Sequence, residues 1–159
     1  MPRYNRRSNT GWWLVTTIAD QDAPTVAEIN AGQPLHDALA SITGFQAGQE
    51  DLPVPDVGST FPKTIPGGQT FDASSLTFWG GDNDADLEET IRAAMDEGLD
   101  AYIVVITRRK TPAAGTPCDV YPVTVKKTNE VHSSDNVGAQ FMTGFSFRDD
   151  PSVHVDIAA

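Results

Sequence analysis

The stretch Asp86-Leu87-Glu88-Glu89-Thr90-Ile91-Arg92-Ala93-Ala94-Met95-Asp96-Glu97-Gly98, followed at once by Leu99-Asp100-Ala101-Tyr102-Ile103-Val104-Val105-Ile106-Thr107, decides the fold. In its first half Leu87, Ile91, Ala94 and Met95 fall on one face at helical spacing. Asp86 suits the N-cap, Glu89 three residues on completes a capping-box pattern, and Gly98 supplies a stop. Glu88 and Arg92 stand at the favourable i,i+4 spacing. In the second half the period vanishes, and residues 101–107 are apolar on both faces. That pattern fits a central strand covered by the helix.

Outward from this pair, β patterns dominate on both sides. Residues 12–18, 35–42 and 70–79 read as strands before the helix, rich in Trp, Val, Thr, Ile and Phe. After it, residues 119–127 alternate Tyr121, Val123 and Val125 with polar partners, and Pro122 predicts an edge or a bulge there. Residues 140–148 alternate Phe141, Thr143, Phe145 and Phe147 with Gln140, Met142, Gly144 and Ser146. Residues 24–32 suggest a single helical turn, with Pro24 near its start and Gly32 closing it. Strands, one α-helix, then strands again predict a β-rich α+β fold of two packed antiparallel sheets, a sandwich or barrel.

The 159 residues suffice for one domain with a real core. We divide them into a flexible basic arm at 1–11, a main domain at 12–150 containing a long loop at 44–68, and a C-terminal tail at 151–159. The loop holds Pro53, Pro55, Pro62 and Pro66, yet also Val54, Val57, Phe61 and Ile65. Structureless loops beyond about 12–15 residues are uncommon in compact domains and tend to be functional. These four apolar residues are therefore candidates for a docking contact. Arg3, Arg6 and Arg7 in the arm are candidates for ordering against an acidic neighbour, beside the plainer reading of a solvated tail.

The formal net charge is −11. The three arginines of the arm face no acid there, which leaves eight Lys and Arg against 22 acids in the rest. So acidic a domain repels a duplex that carries about one negative charge per 1.7 Å, which argues against sequence-specific nucleic-acid binding. No apolar run approaches the ~20 residues of a membrane span, and the start lacks the apolar core of a secretory signal. A soluble protein made in the cytoplasm is expected.

Catalysis finds no foothold. Cys118 is the only cysteine, which rules out an internal disulfide and a cysteine metal cluster, and a small apolar residue at a strand start is its simplest reading. The acidic run 82–86 fails as a calcium loop, because position six holds Leu87 and position twelve holds Ala93. Acids before and within a helical first turn explain it. His36, His132 and His154 are scattered, and no nucleophile elbow or phosphate loop occurs. No catalytic residue, metal or cofactor is expected. Trp12, Trp13 and Trp79 could form a sugar platform, although aromatics in strands are usually core.

Four segments in order carry a resemblance. They are Pro24-Thr25-Val26-Ala27-Glu28-Ile29-Asn30-Ala31-Gly32 with Leu35; Asp56-Val57-Gly58-Ser59-Thr60-Phe61 with Thr64-Ile65-Pro66-Gly67; residues 72–78; and Asp119-Val120-Tyr121-Pro122-Val123-Thr124-Val125. Spanning about residues 12–148, they resemble major tail (tail tube) proteins of long-tailed actinobacterial phages and related tail-like particles. The arginine-rich start is unusual for that family, and no immunoglobulin-like domain follows residue 159 in this sequence. The resemblance implies a structural virion protein, assembled in the host cytoplasm, whose hexameric rings stack into a hollow tube. Inner sheets of six subunits would join into one barrel, while the long loop and the termini bridge rings. Implied partners are further copies of the chain, a tape measure protein inside the tube, tail terminator and distal tail proteins at its ends, and duplex DNA in transit without sequence-specific binding. No membrane is involved. By position, Arg3, Arg6, Arg7, Val54, Val57, Phe61 and Ile65 become candidate ring-stacking residues, and a net negative tube wall would keep DNA from sticking. Alternative readings are a head–tail connector or tail terminator, and a monomeric carbohydrate-binding β-sandwich.

Overall fold

A computed structural model describes residues 3 and 5–159; Met1, Pro2 and Tyr4, part of the expected arm, lie outside the described residues. After a 3₁₀ turn at Arg6–Ser8 come β1 (Gly11–Val15), α1 (Val26–Asn30), β2 (Gln33–Pro34), β3 (Leu39–Thr43), β4 (Ala47–Pro53), β5 (Thr64–Phe71) and β6 (Ser74–Trp79). Then follow α2 (Leu87–Ala94), β7 (Asp100–Ile106), β8 (Pro117–Val131), β9 (Gln140–Phe147) and β10 (Ser152–Asp156). The fold is β-rich α+β with two antiparallel sheets. One has eight strands in the order β2-β1-β7-β8-β9-β6-β3, with β10 also on β8, and the other is the β4–β5 pair.

The large sheet rolls up without closing. Its two edge strands, β2 and β3, are consecutive in the chain, so Pro34 and Leu39 can stand at most about 18 Å apart. Six strand spacings in a flat sheet would separate them by about 29 Å. The connecting segment spans the gap by hydrogen bonds at both ends: Leu35 N donates to Trp12 O (2.8 Å) and Trp79 N donates to Ala38 O (2.9 Å). Inside the roll, Trp12, Leu14, Ile103, Val105, Tyr121, Val123, Phe141, Phe145, Leu76 and Phe78 form the main core. Phe45 plugs it from the seam, its ring 5.4 Å from Trp12 and 5.3 Å from Tyr121. Gly44 and Phe45 both take positive φ to make that turn (+82° and +59°), a strained choice for Phe45 that its aromatic contacts offset.

The reverse face is covered over only half the sheet. Trp13, Val15, Val104, Ile106, Cys118 and Val120 form a second core beneath Ile29 of α1 and Ile157. Strand β7 is thus buried on both faces, as its sequence implies, with α2 (Ile91, Met95) against the first core. The outer face of β9, β6 and β3 has no such cover.

Several elements depart from expectation. The 44–68 loop contains a β-hairpin, β4 with β5, whose tip runs over residues 54–63. The 151–159 tail contains β10, and Ala158 bridges Thr25, because Ile157 completes the second core. Residues 35–42 divide into a link at 35–38 and most of β3, with β2 lying just before them, and residues 70–79 are split between β5 and β6. Strand β8 is interior rather than an edge, and its irregularity falls between Val125 and Thr128. Pro122 is tolerated because it sits where the neighbour changes from β10 (Ser152 opposite Val120) to β9 (Phe147 opposite Val123). Its carbonyl accepts from Arg148 N on that side, so its missing N–H falls in the gap.

The capping box forms at α1, where Thr25 and Glu28 exchange hydrogen bonds. At α2, Asp86 Oδ2 accepts instead from Asp82 N and Asn83 N, and Glu89 Oε1 accepts from Gly81 N, tying down the preceding turn. Helix α2 stops at Ala94, ahead of Gly98, and Arg92 pairs with Glu89 and Glu130 rather than Glu88.

Candidate assembly surfaces

The β4–β5 hairpin stands apart from the rolled sheet, pairing with no other strand. In its register Leu52 lies opposite Ile65, and Val54 N donates to Lys63 O (2.8 Å), which extends the ladder by one rung. Leu52 and Val54, two residues apart, share a face with Ile65. These side chains are 50%, 44% and 52% exposed, while Phe61 and Val57 in the tip reach 71% and 108%. Only Phe71 at the root is anchored, its ring 4.6 Å from Phe147. An isolated two-stranded hairpin is marginal in water. Here it also presents an apolar stripe to solvent.

The structure therefore brings Val54, Val57, Phe61 and Ile65 together on one arm. Leu52 belongs with them and escapes sequence reading, because Pro53 obscures the alternation Leu52–Val54. Arg3, Arg6 and Arg7 are exposed and lie off the hairpin. Arg6 and Arg7 line a cleft of about 650 Å³ at the seam of the roll, with Trp12, His36, Trp79 and Tyr121. The turn that carries them is held by Asn5 Oδ1, which accepts from Arg7 N (3.0 Å). No acid pairs with either arginine within the described residues.

Other groups singled out in the sequence fall into structural roles. Trp12 and Trp13 are buried, the latter donating from Nε1 to Lys110 O, and only Trp79 is exposed, at 42%. Cys118 is fully buried, and desolvation beside Asp119 and Asp156 pushes its thiol up to about 12. Burial likewise raises the Tyr121 phenol to about 12. Among the described residues no three His, Cys, Asp or Glu side chains converge as a metal site, and no helix is long and apolar enough to cross a membrane.

A family model described as phage tail tube protein matches residues 1–159. The chain belongs to the phage tail tube protein family. Solved structures of the same fold accompany it. A chain in the sixfold-symmetrised cryo-EM structure of the anti-feeding prophage baseplate aligns with TM-score 0.61 at 8% identity, over 98% of this chain and 97% of that one. A chain in the tail of an empty gene transfer agent particle, refined helically with C6 symmetry, gives 0.55 at 13% identity, over 97% and 100%. One from the virion of a native gene transfer agent gives 0.55 at 15%, over 96% and 100%. No curated protein sequence matches the chain. As a tail tube protein it is a structural component of the tail of a virion or tail particle, and its family is not an enzymatic one. It acts by assembling with itself into that tube.

Proposed function

We propose that six copies of this tail tube protein form a ring, that rings stack through the β4–β5 hairpin, and that the resulting bore conducts duplex DNA. The observation that carries this reading is the hairpin itself, whose apolar face finds no partner within its own subunit. Docked on the adjacent ring, Leu52, Val54, Val57, Phe61 and Ile65 would leave water. Free strand edges give further support: β3 pairs only with β6 and β2 only with β1, and closure across several subunits removes such edges. If each of six subunits lends four strands spaced about 4.8 Å and tilted about 40°, the barrel measures roughly 45–50 Å across at the backbone, wide enough for a duplex. A tape measure protein would occupy this bore before DNA does, with a tail terminator and a distal tail protein closing the two ends. Arg3, Arg6 and Arg7, which pair with no acid among the described residues, are proposed to meet the acidic surface of a neighbour.

The test replaces tip residues 54–63 by Asn-Gly. The variant should remain folded and should lose tubes, while single rings are still permitted. Persistent tubes would show that stacking lies elsewhere. A connector or terminator predicts unstacked rings from the unaltered chain. The carbohydrate reading has lost its platform, since two of its three tryptophans are buried.

A further inference from the structure

Five of the chain's 11 Lys and Arg side chains (Arg6, Arg7, Arg108, Arg109 and Lys110) gather at one end of β1 and β7, in a chain of net charge −11. Register places them there. Gly11 lies opposite Ile106, so the 3₁₀ turn before β1 and the segment after β7 leave the sheet side by side. Trp13 Nε1 donates to Lys110 O (3.1 Å), and a Cβ at Gly11 would come within 2.5 Å of the same carbonyl. Arg6, Arg7 and Thr107 line the seam cleft together. Lys110 pairs with Asp37, whereas the four arginines pair with no acid among the described residues. Two further acids stand toward this end, Asp119, which accepts from His154 N, and Asp156 at the close of β10.

At the other end of the same strands the sign reverses. Strand β7 begins at Asp100, just after Asp96 and Glu97, and Asp20 and Asp22 follow β1. Gln21 Nε2 donates to Asp150 O (2.8 Å) and Ser152 Oγ donates to Asp22 Oδ1 (2.5 Å), which draws Asp149 and Asp150 to this end. Asp72, at the root of the β4–β5 hairpin, shares an open cleft with Asp149 and Asp150. The cations here are Lys126 and Arg148, the latter lying over the Tyr102 ring. The hairpin therefore leaves the subunit from its acidic end, and β4 adds the exposed Glu50 and Asp51. Seven residues of β7 separate the two ends by about 20 Å, more than two Debye lengths at physiological salt. Through solvent, neither end neutralises the other within one subunit.

Resting on the stacked-ring reading above, we infer that each copy is charge-polarised along β1 and β7, and that its basic end seats on the acidic, hairpin-bearing end of a copy in the next ring. The partner is a second copy of this chain, met head to tail. Such a contact joins unlike surfaces, so it leaves a free basic end and a free acidic end after every addition and propagates. A flipped copy would set like charges against each other, which fixes the direction of the stack. Arg6, Arg7, Arg108 and Arg109 thereby gain the acids they lack in the subunit. The hairpin supplies apolar burial, and the two charged ends supply orientation and speed of encounter.

Charge reversal on both sides of the contact tests this. Arg108→Glu/Arg109→Glu reverses one end and Asp149→Lys/Asp150→Lys the other, all at exposed positions. Light scattering reads the critical concentration for tubes at low ionic strength, and thermal melting of dissociated subunits reads the fold. Each pair alone should raise the critical concentration at least about tenfold. The four substitutions combined should bring it back toward the unaltered value, because the reversed ends again meet opposite signs. Both rises should shrink at high salt, where the ends are screened. Arg6→Glu/Arg7→Glu makes the same reversal from the 3₁₀ turn and stands in if the 108–109 pair destabilises the subunit. Unchanged critical concentrations, rises that persist at high salt, or a combined variant in which the two losses add would overturn the inference and leave the hairpin contact in place. An unaltered chain that forms no tubes would defeat the stacked-ring reading first, and this inference with it.

Discussion

Replacing Val57 and Phe61 together by serine separates the two jobs assigned to the hairpin. In the isolated subunit these side chains are 108% and 71% exposed, so their loss removes almost no buried area, and stability should change by less than about 0.5 kcal/mol. In the stacked tube each is proposed to leave water. Burial of a Val or Phe side chain contributes about 1.5–3 kcal/mol, so the pair contributes about 3–6 kcal/mol per subunit contact. That corresponds to roughly 10²- to 10⁴-fold in the association constant of each contact, and it recurs around the ring. Light scattering against concentration reads the critical concentration for tubes, and thermal melting of dissociated subunits reads the fold. The expected result is a rise in critical concentration of at least about 100-fold with an unchanged melting temperature. An unchanged critical concentration refutes the docking argument. A melting temperature lowered by several degrees refutes the claim that the tip is unburied in the subunit.

Phe141→Ala should have the opposite signature. This ring is fully buried and stacked on Phe78 at 5.2 Å beneath the Arg92 guanidinium, so its truncation should cost about 3–5 kcal/mol in denaturant unfolding, and a loss under 1 kcal/mol would contradict the packing. Glu28 accepts hydrogen bonds from Thr25 N and Ala19 N, which hold its carboxyl below its ordinary 4.5. A depressed folded pKa stabilises above the unfolded value, so the melting-temperature gap between the native chain and Glu28→Gln should be full above about pH 5.5 and close as pH falls through 4.5 and below. A gap independent of pH would remove the carboxylate from the account. Cys118, its thiol raised to about 12 by burial, should stay unreactive toward a disulfide reagent at pH 8 until the chain is denatured, and prompt reaction in the folded protein would contradict its burial.

Where one physical period dominated, the sequence was readable. Helix α2 and strand β7 stand where apolar spacing switches from helical to continuous, and β9 follows its alternation of Phe141, Thr143 and Phe145 with polar residues. The hairpin was not readable as strands because neither of its faces is buried, so no alternation marks it, and Pro53, Pro66 and the Gly67–Gly68 pair all speak against strand. Strand β10 hides for a related reason: Ser-Val-His-Val-Asp reads as tail until β8 offers its unpaired N-terminal half. The capping box expected at Asp86 does not form, since Asp86 spends its carboxylate on the Asp82 and Asn83 amides, whereas Thr25 and Glu28 cap α1 reciprocally. The roll itself rests on pairings such as β1 with β7 and β6 with β9, far apart in sequence and invisible to local patterns. Of the candidate site, the apolar character of residues 54–65 was legible; the placing of Val54 and Ile65 on one face with Leu52 required the register.

The most direct measurement is cryo-electron microscopy of the purified full chain, concentrated without any other tail component. The account predicts hollow tubes whose helical reconstruction shows six subunits per ring, with the β4–β5 hairpin of each subunit lying on the next ring. A population that stays monomeric at every concentration, or rings whose hairpins point into solvent, would contradict it.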